Sequence, residues 1–188
     1  MDLKRLWRTI RLYTSRNRSQ YIRKAHIFAE FGEKSTMSSR KVPLYPELIS
    51  IGNNVRLAAN VSLITHDMIH AMLNNREGNS AHFREYMGCI RIDDNVFVGA
   101  NSTILADVHI GSNVIIGAGT LVNKDLPGGH VYAGVPAREI CTFDEFVARR
   151  SAMKAPPDGL ERIGDSVPEE LADYLWHTFW SNRNGENE

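Results

Sequence analysis

The feature that most constrains the fold of this chain is an aliphatic residue that recurs at every sixth position. Six consecutive hexapeptides between residues 92 and 127 open with Ile92, Val98, Ile104, Ile110, Ile116 and Val122. An amphipathic helix needs apolar residues three and four positions apart, so a period of six excludes one. Short strands joined by tight corners fit instead, with the aliphatic side chain inward and Gly, Asn or Asp at the corners. The sequence therefore predicts an all-β solenoid.

The same register occurs earlier in the chain and is then interrupted once. It is clear at Ile51, Leu57 and Leu63 and weaker at Phe31 and Met37, so we expect the solenoid to begin near residue 30. Between these repeats and Ile92 the register is lost and then resumes cleanly. Residues 69–91 are therefore predicted to form a loop that leaves the solenoid at one corner and returns to it. Long loops on rigid scaffolds tend to carry function.

Two strings beside this loop resemble a known family. Residues 57–63 (LAANVSL), followed by a His, the loop and residues 92–100 (IDDNVFVGA), resemble the galactoside and maltose O-acetyltransferase branch of the hexapeptide-repeat transferases. The polysaccharide O-acetyltransferases and the xenobiotic acetyltransferases share the layout. The resemblance covers residues 30–140 and implies a left-handed parallel β-helix with three hexapeptides to a coil, in a homotrimer. On that basis one coil holds Phe31, Met37 and residues 43–50, and the later coils begin at Ile51, Ile92 and Ile110.

The resemblance also implies a catalytic base at the foot of the loop. In those families the His at the position of His66 is the general base. Acyl transfer from a thioester to an alcohol needs a group that accepts the hydroxyl proton, and a neutral imidazole can do so. A carboxylate or a backbone carbonyl should orient the ring, and Asp67 and Glu47 are the side-chain candidates. His70 and His82 are interpreted either as acceptor-site residues or as surface residues of the loop.

The end of the repeat resembles the closing signature of the coenzyme A-binding members of this family. That signature is residues 133–138 (AGVPAR), preceded by residues 123–125 (NKD). The residues that the resemblance places near coenzyme A are Ala100, Ala118, Asn123, Lys124, Pro136 and Arg138.

The implied roles of these residues differ. The pantetheine arm would run between subunits along the backbone of Ala100 and Ala118, which are one coil apart. Lys124 and Arg138 are cations available to the nucleotide phosphates, with surface charge as the alternative. Pro136 would set the chain direction beside the adenine, and Asn123 stands where relatives often have Thr. The resemblance implies acetyl-coenzyme A as co-substrate and requires no metal.

Helical segments are expected on both sides of the β-helix, at residues 1–29 and 141–188. At the N-terminus, Leu3, Leu6, Trp7, Ile10 and Tyr13 have helical spacing among basic residues. The pattern favours a helix packed on its own domain over contact of residues 1–24 with an anionic membrane surface. Near the C-terminus, capping patterns open helices at Thr142 and Ser166. The tail from residue 182 is predicted to be disordered.

The amino-acid composition limits which binding partners and which cellular compartment we expect for the protein. The chain has 22 Lys and Arg and 22 Asp and Glu, so no global field favours nucleic acid. Its two cysteines lack metal-type spacing, which suits a reducing compartment such as the cytoplasm.

The residues favour one function and leave alternatives open. The favoured function is an acetyl-coenzyme A-dependent O-acetyltransferase that acts on a hydroxyl of a sugar or polysaccharide precursor. A xenobiotic O-acetyltransferase would use the same mechanism. A γ-class carbonic anhydrase is a zinc alternative, but its His pair is spaced by five, whereas His66 and His70 are spaced by four. A non-catalytic solenoid is the third possibility.

Overall fold

A computed structural model describes residues 3–78 and 80–184 of the chain. It divides into two compact units, Met1–Val147 and Ala148–Glu188. The first unit holds the repeats, and the second holds the final helix. No helix in the described ranges is long and apolar enough to cross a membrane.

Short strands dominate the first unit, and helices stand at its start, in its loop and after its last strand. In chain order the elements are α1 (Leu3–Thr14), α2 (Arg18–Lys24), β1 (Glu30–Phe31), β2 (Thr36–Met37), a 3-10 helix (Pro46–Leu48), β3 (Ile49–Ile51), β4 (Arg56–Leu57), β5 (Ser62–Leu63), α3 (Ile69–Asn74), β6 (Ile90–Ile92), β7 (Val96–Val98), β8 (Thr103–Ile104), β9 (Val108–Ile110), β10 (Val114–Ile116), β11 (Leu121–Val122), β12 (His130–Ala133), β13 (Arg138–Thr142), α4 (Phe143–Ser151) and α5 (Glu169–Asn184).

The strands form three sheets that the chain visits in turn. Their orders are β1-β3-β6-β9, β13-β12-β10-β7-β4-β2 and β11-β8-β5. Every pairing is parallel except that of β12 with β13. Phe31, Ile51, Ile92 and Ile110 stand directly above one another in the first sheet. The predicted register of the coils is therefore confirmed by the strand pairing.

The core is a stack of the aliphatic residues that define the repeat. Ile51, Ile92 and Ile110 are at most 1% exposed. At one corner Asn54, Asn95 and Asn113 all have φ between 53° and 58°, a conformation that Asn tolerates better than most residues. Their amides also bond from coil to coil, at 2.9 and 3.1 Å. The corner residues thus satisfy turn geometry and connect successive coils.

The predicted loop differs from the observed one at its end. Strand pairing resumes at Ile90, which lies beside Ile49 on one side and Val108 on the other. The segment outside the sheets therefore ends at Cys89 rather than at residue 91. It also contains α3, a short helix that no periodic pattern indicates.

The flanking helices confirm some sequence expectations and correct others. The capping box at Thr142 is present, because the backbone N–H of Thr142 donates to Glu145 Oε2 (2.8 Å) and that of Glu145 donates to Thr142 Oγ1 (3.2 Å). The last helix begins at Glu169, three residues after Ser166. It continues to Asn184, so residues 182–184 are helical and the predicted disorder there is wrong. Residues 185–188 of that predicted tail lie outside the described residues.

Helix α1 is present, and its expected packing on the first unit is met only in part. Leu12 is fully buried, Leu6 and Tyr13 line a cleft against the coils, and the Arg40 guanidinium lies over the Tyr13 ring. Leu3, Trp7 and Ile10 lie on another side of the helix, are exposed and face away from the core.

Candidate active site

His66 stands at the neck of the loop, where its two limbs meet. His66 and Met87 form an antiparallel bridge. On one side Gly88 N–H donates to the carbonyl of Thr65 (2.8 Å), and on the other Asp67 N–H donates to that of Tyr86 (3.2 Å). These backbone bonds fix the position of the imidazole relative to the coils.

The His66 ring is half-buried, and its two nitrogens have different surroundings. Its Nδ1 is buried and has no hydrogen-bond partner among the described residues. The side chain as a whole still reaches the surface. The ring of Tyr45 meets the imidazole edge-on, at 5.1 Å between centroids and 77° between planes.

Neither predicted orienting carboxylate is hydrogen-bonded to His66 in the part of the chain that the structure describes. Asp67 Oδ1 accepts instead from the N–H of Ile69 (3.0 Å), which caps the start of α3. Glu47 lies exposed in the 3-10 helix. The contact that positions the ring comes from Tyr45.

Tyr45 is the site residue that sequence reasoning missed. It has φ 52°, a left-handed conformation that is uncommon for a bulky residue, and it precedes Pro46. Its hydroxyl donates to the Glu85 carboxylate, with both oxygens at 3.3 Å. Desolvation and the negative charge of Glu85 raise the pKa of Tyr45 above its usual value. Tyr45 thus connects the first coil, the His66 ring and the returning limb of the loop, and its position before a proline is the only local signal.

Further hydrogen bonds fix the loop in place. The Asn74 amide donates to the carbonyl of Phe83 and accepts from its N–H, both at 2.8 Å. The Tyr86 hydroxyl donates to Asp107, and this hydrogen bond raises the pKa of Tyr86. Asp107 also accepts from the N–H of Cys89 (3.2 Å). The returning limb is therefore tied both to the outgoing limb and to the coils.

The two other candidate histidines lie on different parts of the loop. His70 is half-buried on α3, four residues after His66, and its Nδ1 is buried with no partner within the described ranges. His82 is exposed on the returning limb. Of the two, His70 is nearer in sequence to the neck.

A cleft of about 930 Å³ lies beside the chain segments that continue to this neck. It lies between α1 and two stretches of the coils, residues 37–43 and 59–64. The two stretches continue into Tyr45 and His66, and Thr65 Oγ1 joins them by donating to the carbonyl of Leu44 (3.0 Å). Since His66 is two residues beyond the cleft wall, its Cα lies within about 7 Å of that wall. Polar and charged side chains of the coil walls are Ser38, Ser39, Arg40, Lys41, Asn60 and Ser62.

The closing signature forms a turn on the last strand of the third sheet. Leu121 N–H donates to the carbonyl of Gly134 (3.1 Å), and Ala137 N–H donates to the carbonyl of Leu121 (2.8 Å). Ala137 is buried, while Arg138 is exposed and Pro136 is half-buried. The turn thereby presents Arg138 at the end of the coils.

Lys124 and Asn123 follow that same strand and are both exposed. Ala100 and Ala118 occupy equivalent positions in adjacent coils, and Ala100 accepts a 2.8 Å bond from Gly119 N–H. Small side chains here leave the backbone open to an extended ligand. In the ranges that the structure describes, no three His, Cys, Asp or Glu residues are grouped so that they could hold a metal ion.

Comparisons with known proteins agree with this architecture. Residues 90–124 match the family model described as bacterial transferase hexapeptide (six repeats). The chain is 35% identical to YvoF of Bacillus subtilis (strain 168) over 122 residues, which are 63% of each protein. It is 40% identical to galactoside O-acetyltransferase of Escherichia coli (strain K12) over 94 residues, 49% of this chain and 43% of that enzyme. The matches thus span less than two thirds of these relatives' length.

A solved structure extends the likeness over most of the fold. The structure of a galactoside acetyltransferase in complex with coenzyme A superposes with a TM-score of 0.58 and 26% identity. The superposition covers 89% of this chain and 87% of that one.

Proposed function

We propose that this chain, whose repeats match the bacterial transferase hexapeptide model and which is similar to galactoside O-acetyltransferase, is a hexapeptide-repeat transferase that transfers an acetyl group from acetyl-coenzyme A to a hydroxyl of a sugar or polysaccharide precursor. His66 is the general base of this reaction. The observation that carries the proposal is the half-buried His66 imidazole, which stands at the loop neck two residues beyond the wall of a cleft that has hydroxyl and amide side chains in its lining.

The proposal includes a left-handed coil and a homotrimer. The homotrimer rests on the family resemblance, and the likeness to the galactoside acetyltransferase structure supports the coil. In such a trimer the pantetheine arm lies in a groove between subunits.

The His66 neck suits direct transfer between two bound substrates. Nε2 accepts the proton of the acceptor hydroxyl as its oxygen forms a bond to the thioester carbonyl carbon. The tetrahedral oxyanion is stabilised by a backbone N–H of the neighbouring coil. The C–S bond then breaks, and His66 returns the proton to the departing thiolate. General base catalysis of this kind contributes about 10²–10⁴-fold to the rate.

The donor end is proposed to be the turn on Leu121 and the residues near it. Arg138 and Lys124 are exposed cations there, available to the nucleotide phosphates of coenzyme A. Ala100 and Ala118 lie one coil apart along the direction that an extended pantetheine arm would follow. Pro136 and Asn123 complete this set at the end of the coils.

The acceptor end is proposed to be the cleft together with the loop. Hydroxyl and amide side chains such as Ser62 and Asn60 line its coil walls, and groups of this type recognise sugar hydroxyls by hydrogen bonding. His70, on the helix next to the neck, is the better placed of the two remaining histidines. His82 lies on the exposed limb and is a weaker candidate.

A panel of acceptors tests this function. Purified protein is mixed with acetyl-coenzyme A and with free sugars, capsule-type oligosaccharides or hydroxylated antibiotics, and thiol release and the mass of the product are followed. We expect one acceptor class to gain an acetyl group at a hydroxyl. Failure of acetyl-coenzyme A to bind or to stabilise the protein would contradict the proposal.

Variants test the donor end separately. Arg138→Ala should raise the KM for acetyl-coenzyme A about tenfold with little change in kcat, because the lost contact is made equally in ground and transition states. Arg162→Ala, which removes an exposed cation of the second unit, is the matched control and should leave KM unchanged. Equal KM values for both variants would show that Arg138 does not contact coenzyme A.

A further inference from the structure

The neutral net charge of the chain conceals a strong charge asymmetry. The first 41 residues contain eleven of the 22 Lys and Arg but only three of the 22 Asp and Glu. The remaining residues are correspondingly acidic. Such asymmetry indicates that one end of a chain meets an anionic partner.

Helix α1 presents an apolar stripe at this basic end. Leu3, Trp7 and Ile10 share one side of the helix and are 74%, 63% and 46% exposed. Leu12 points elsewhere and is fully buried, so the helix is attached to its unit by a different side. Arg11 is exposed next to the stripe. The 12 residues of α1 contain no Asp or Glu.

We propose that α1 docks on an anionic lipid bilayer, independently of acyl transfer. A helix with aromatic and aliphatic residues on one side and Lys or Arg beside them lies in the plane of the headgroups. The Trp7 indole suits the boundary between acyl chains and headgroups, because its ring is apolar and its N–H can bond to water or phosphate. Arg11 and the other cations of the first 41 residues add attraction to anionic headgroups.

The final helix also has exposed apolar residues, but its charge differs from that of α1. Trp176 and Trp180 of α5 are also exposed, at 60% and 56%. The first turn of α5, however, carries Glu169 and Glu170. An anionic surface would repel the acidic first turn of α5. The charge of the two helices therefore favours α1 as the one that binds an anionic bilayer.

Charge also argues against a symmetric pairing of two α1 helices on this face. A two-fold contact of α1 with α1 would bring two basic ends together, where like charges repel; a head-to-tail contact with a different face of a second copy is the alternative that a self-association measurement separates from membrane binding. An anionic bilayer instead supplies the opposite charge and an apolar interior together.

Vesicle flotation of the full chain tests the proposal. The probes are vesicles of phosphatidylcholine alone and of phosphatidylcholine with phosphatidylglycerol. We expect binding at least about tenfold stronger to the anionic vesicles, and weaker at high salt. Trp7→Ser should reduce the affinity about tenfold because it removes a large apolar side chain, and Arg11→Glu at least about fivefold. Trp176→Ser and Arg162→Glu are the matched controls and should bind as the parent does.

The outcomes separate membrane binding from its alternatives. Trp7 and Arg11 are exposed, so both variants should fold, with an unchanged melting temperature and unchanged thiol release on a water-soluble acceptor. The proposal is overturned if no vesicle binds, if neutral vesicles bind equally, or if the control variants lose as much affinity. Self-association that is sensitive to Trp7→Ser without vesicle binding would assign the face to a second copy and would also overturn it.

Discussion

Gly99 provides a stringent test of how closely successive coils approach. A Cβ placed on Gly99 would lie 2.4 Å from the backbone N of Ala118, 2.6 Å from the carbonyl carbon of Gly117 and 2.8 Å from the Cα of Ala118. All three are backbone atoms of the next coil, so no side chain can rotate away. Gly99→Ala must therefore push apart two coils that are joined by ladder hydrogen bonds.

The expected cost follows from these distances. The coils would have to separate by several tenths of an ångström, and overpacking of a well-packed interior typically costs about 1–3 kcal/mol. A small entropic gain from replacing glycine, about 0.4–1 kcal/mol, opposes this cost. We expect a net loss of about 1–2 kcal/mol in the free energy of unfolding.

Gly117→Ala is the matched control, because Gly117 is the equivalent position one coil later. There the nearest atom to an added Cβ is the side-chain Cβ of Ala133, at 3.0 Å. We expect a change of less than about 0.5 kcal/mol, since the smaller overlap and the entropic gain nearly cancel. Urea unfolding of both variants at one protein concentration measures the difference. Equal stability of the two variants would refute the close approach at Gly99.

Three further variants test the outer face of the first sheet and the neck of the loop. Burial raises the pKa of Asp93, but hydrogen bonds from Arg91 (2.9 Å) and His109 (2.8 Å) outweigh it and leave that pKa below its usual range. This stabilisation is present above the unfolded-state pKa of about 3.9 and is lost as the pH falls through the folded-state pKa. Asp93→Asn should therefore unfold more easily by about 0.5–1 kcal/mol at neutral pH, and the difference should shrink as the pH falls below the unfolded-state pKa and through the folded-state pKa of Asp93. A difference that does not change with pH would contradict the assignment. At the neck, Tyr45→Phe removes only the bond to Glu85 and should lower kcat a few-fold, roughly the effect of one long hydrogen bond. Tyr45→Ala also removes the ring contact with the imidazole and should lower kcat about tenfold or more and shift the pH profile. Equal activity of the two Tyr45 variants would exclude the ring contact as the positioning element.

The repeat could be predicted from sequence because its physical causes are local. An aliphatic residue at every sixth position, with Asn or Gly at the corners, determines which side chains face inward and where the chain turns. The stacking of Ile51, Ile92 and Ile110 follows directly. The start of β6 was missed because Ile90 lies outside that period, and only its pairing with Ile49 shows that it belongs to the strand.

The candidate site was predicted less completely than the fold. His66 could be singled out because it stands where the register breaks. Tyr45 could not, because its contact with His66 depends on how the irregular side of the first coil meets the neck. Asp67 was a reasonable orienting candidate by sequence proximity, but the start of α3 provides a competing N–H for its carboxylate.

The central claim is that His66 is the base of an acetyl transfer, and the turnover of His66→Ala on the best acceptor tests it most directly. The assay is thiol release from acetyl-coenzyme A, with His177→Ala, an exposed histidine of the final helix, as the matched control. We predict a fall in kcat of about 10²–10⁴-fold for His66→Ala, unchanged binding of acetyl-coenzyme A, and full activity of the control. Full activity of folded His66→Ala would contradict the mechanism.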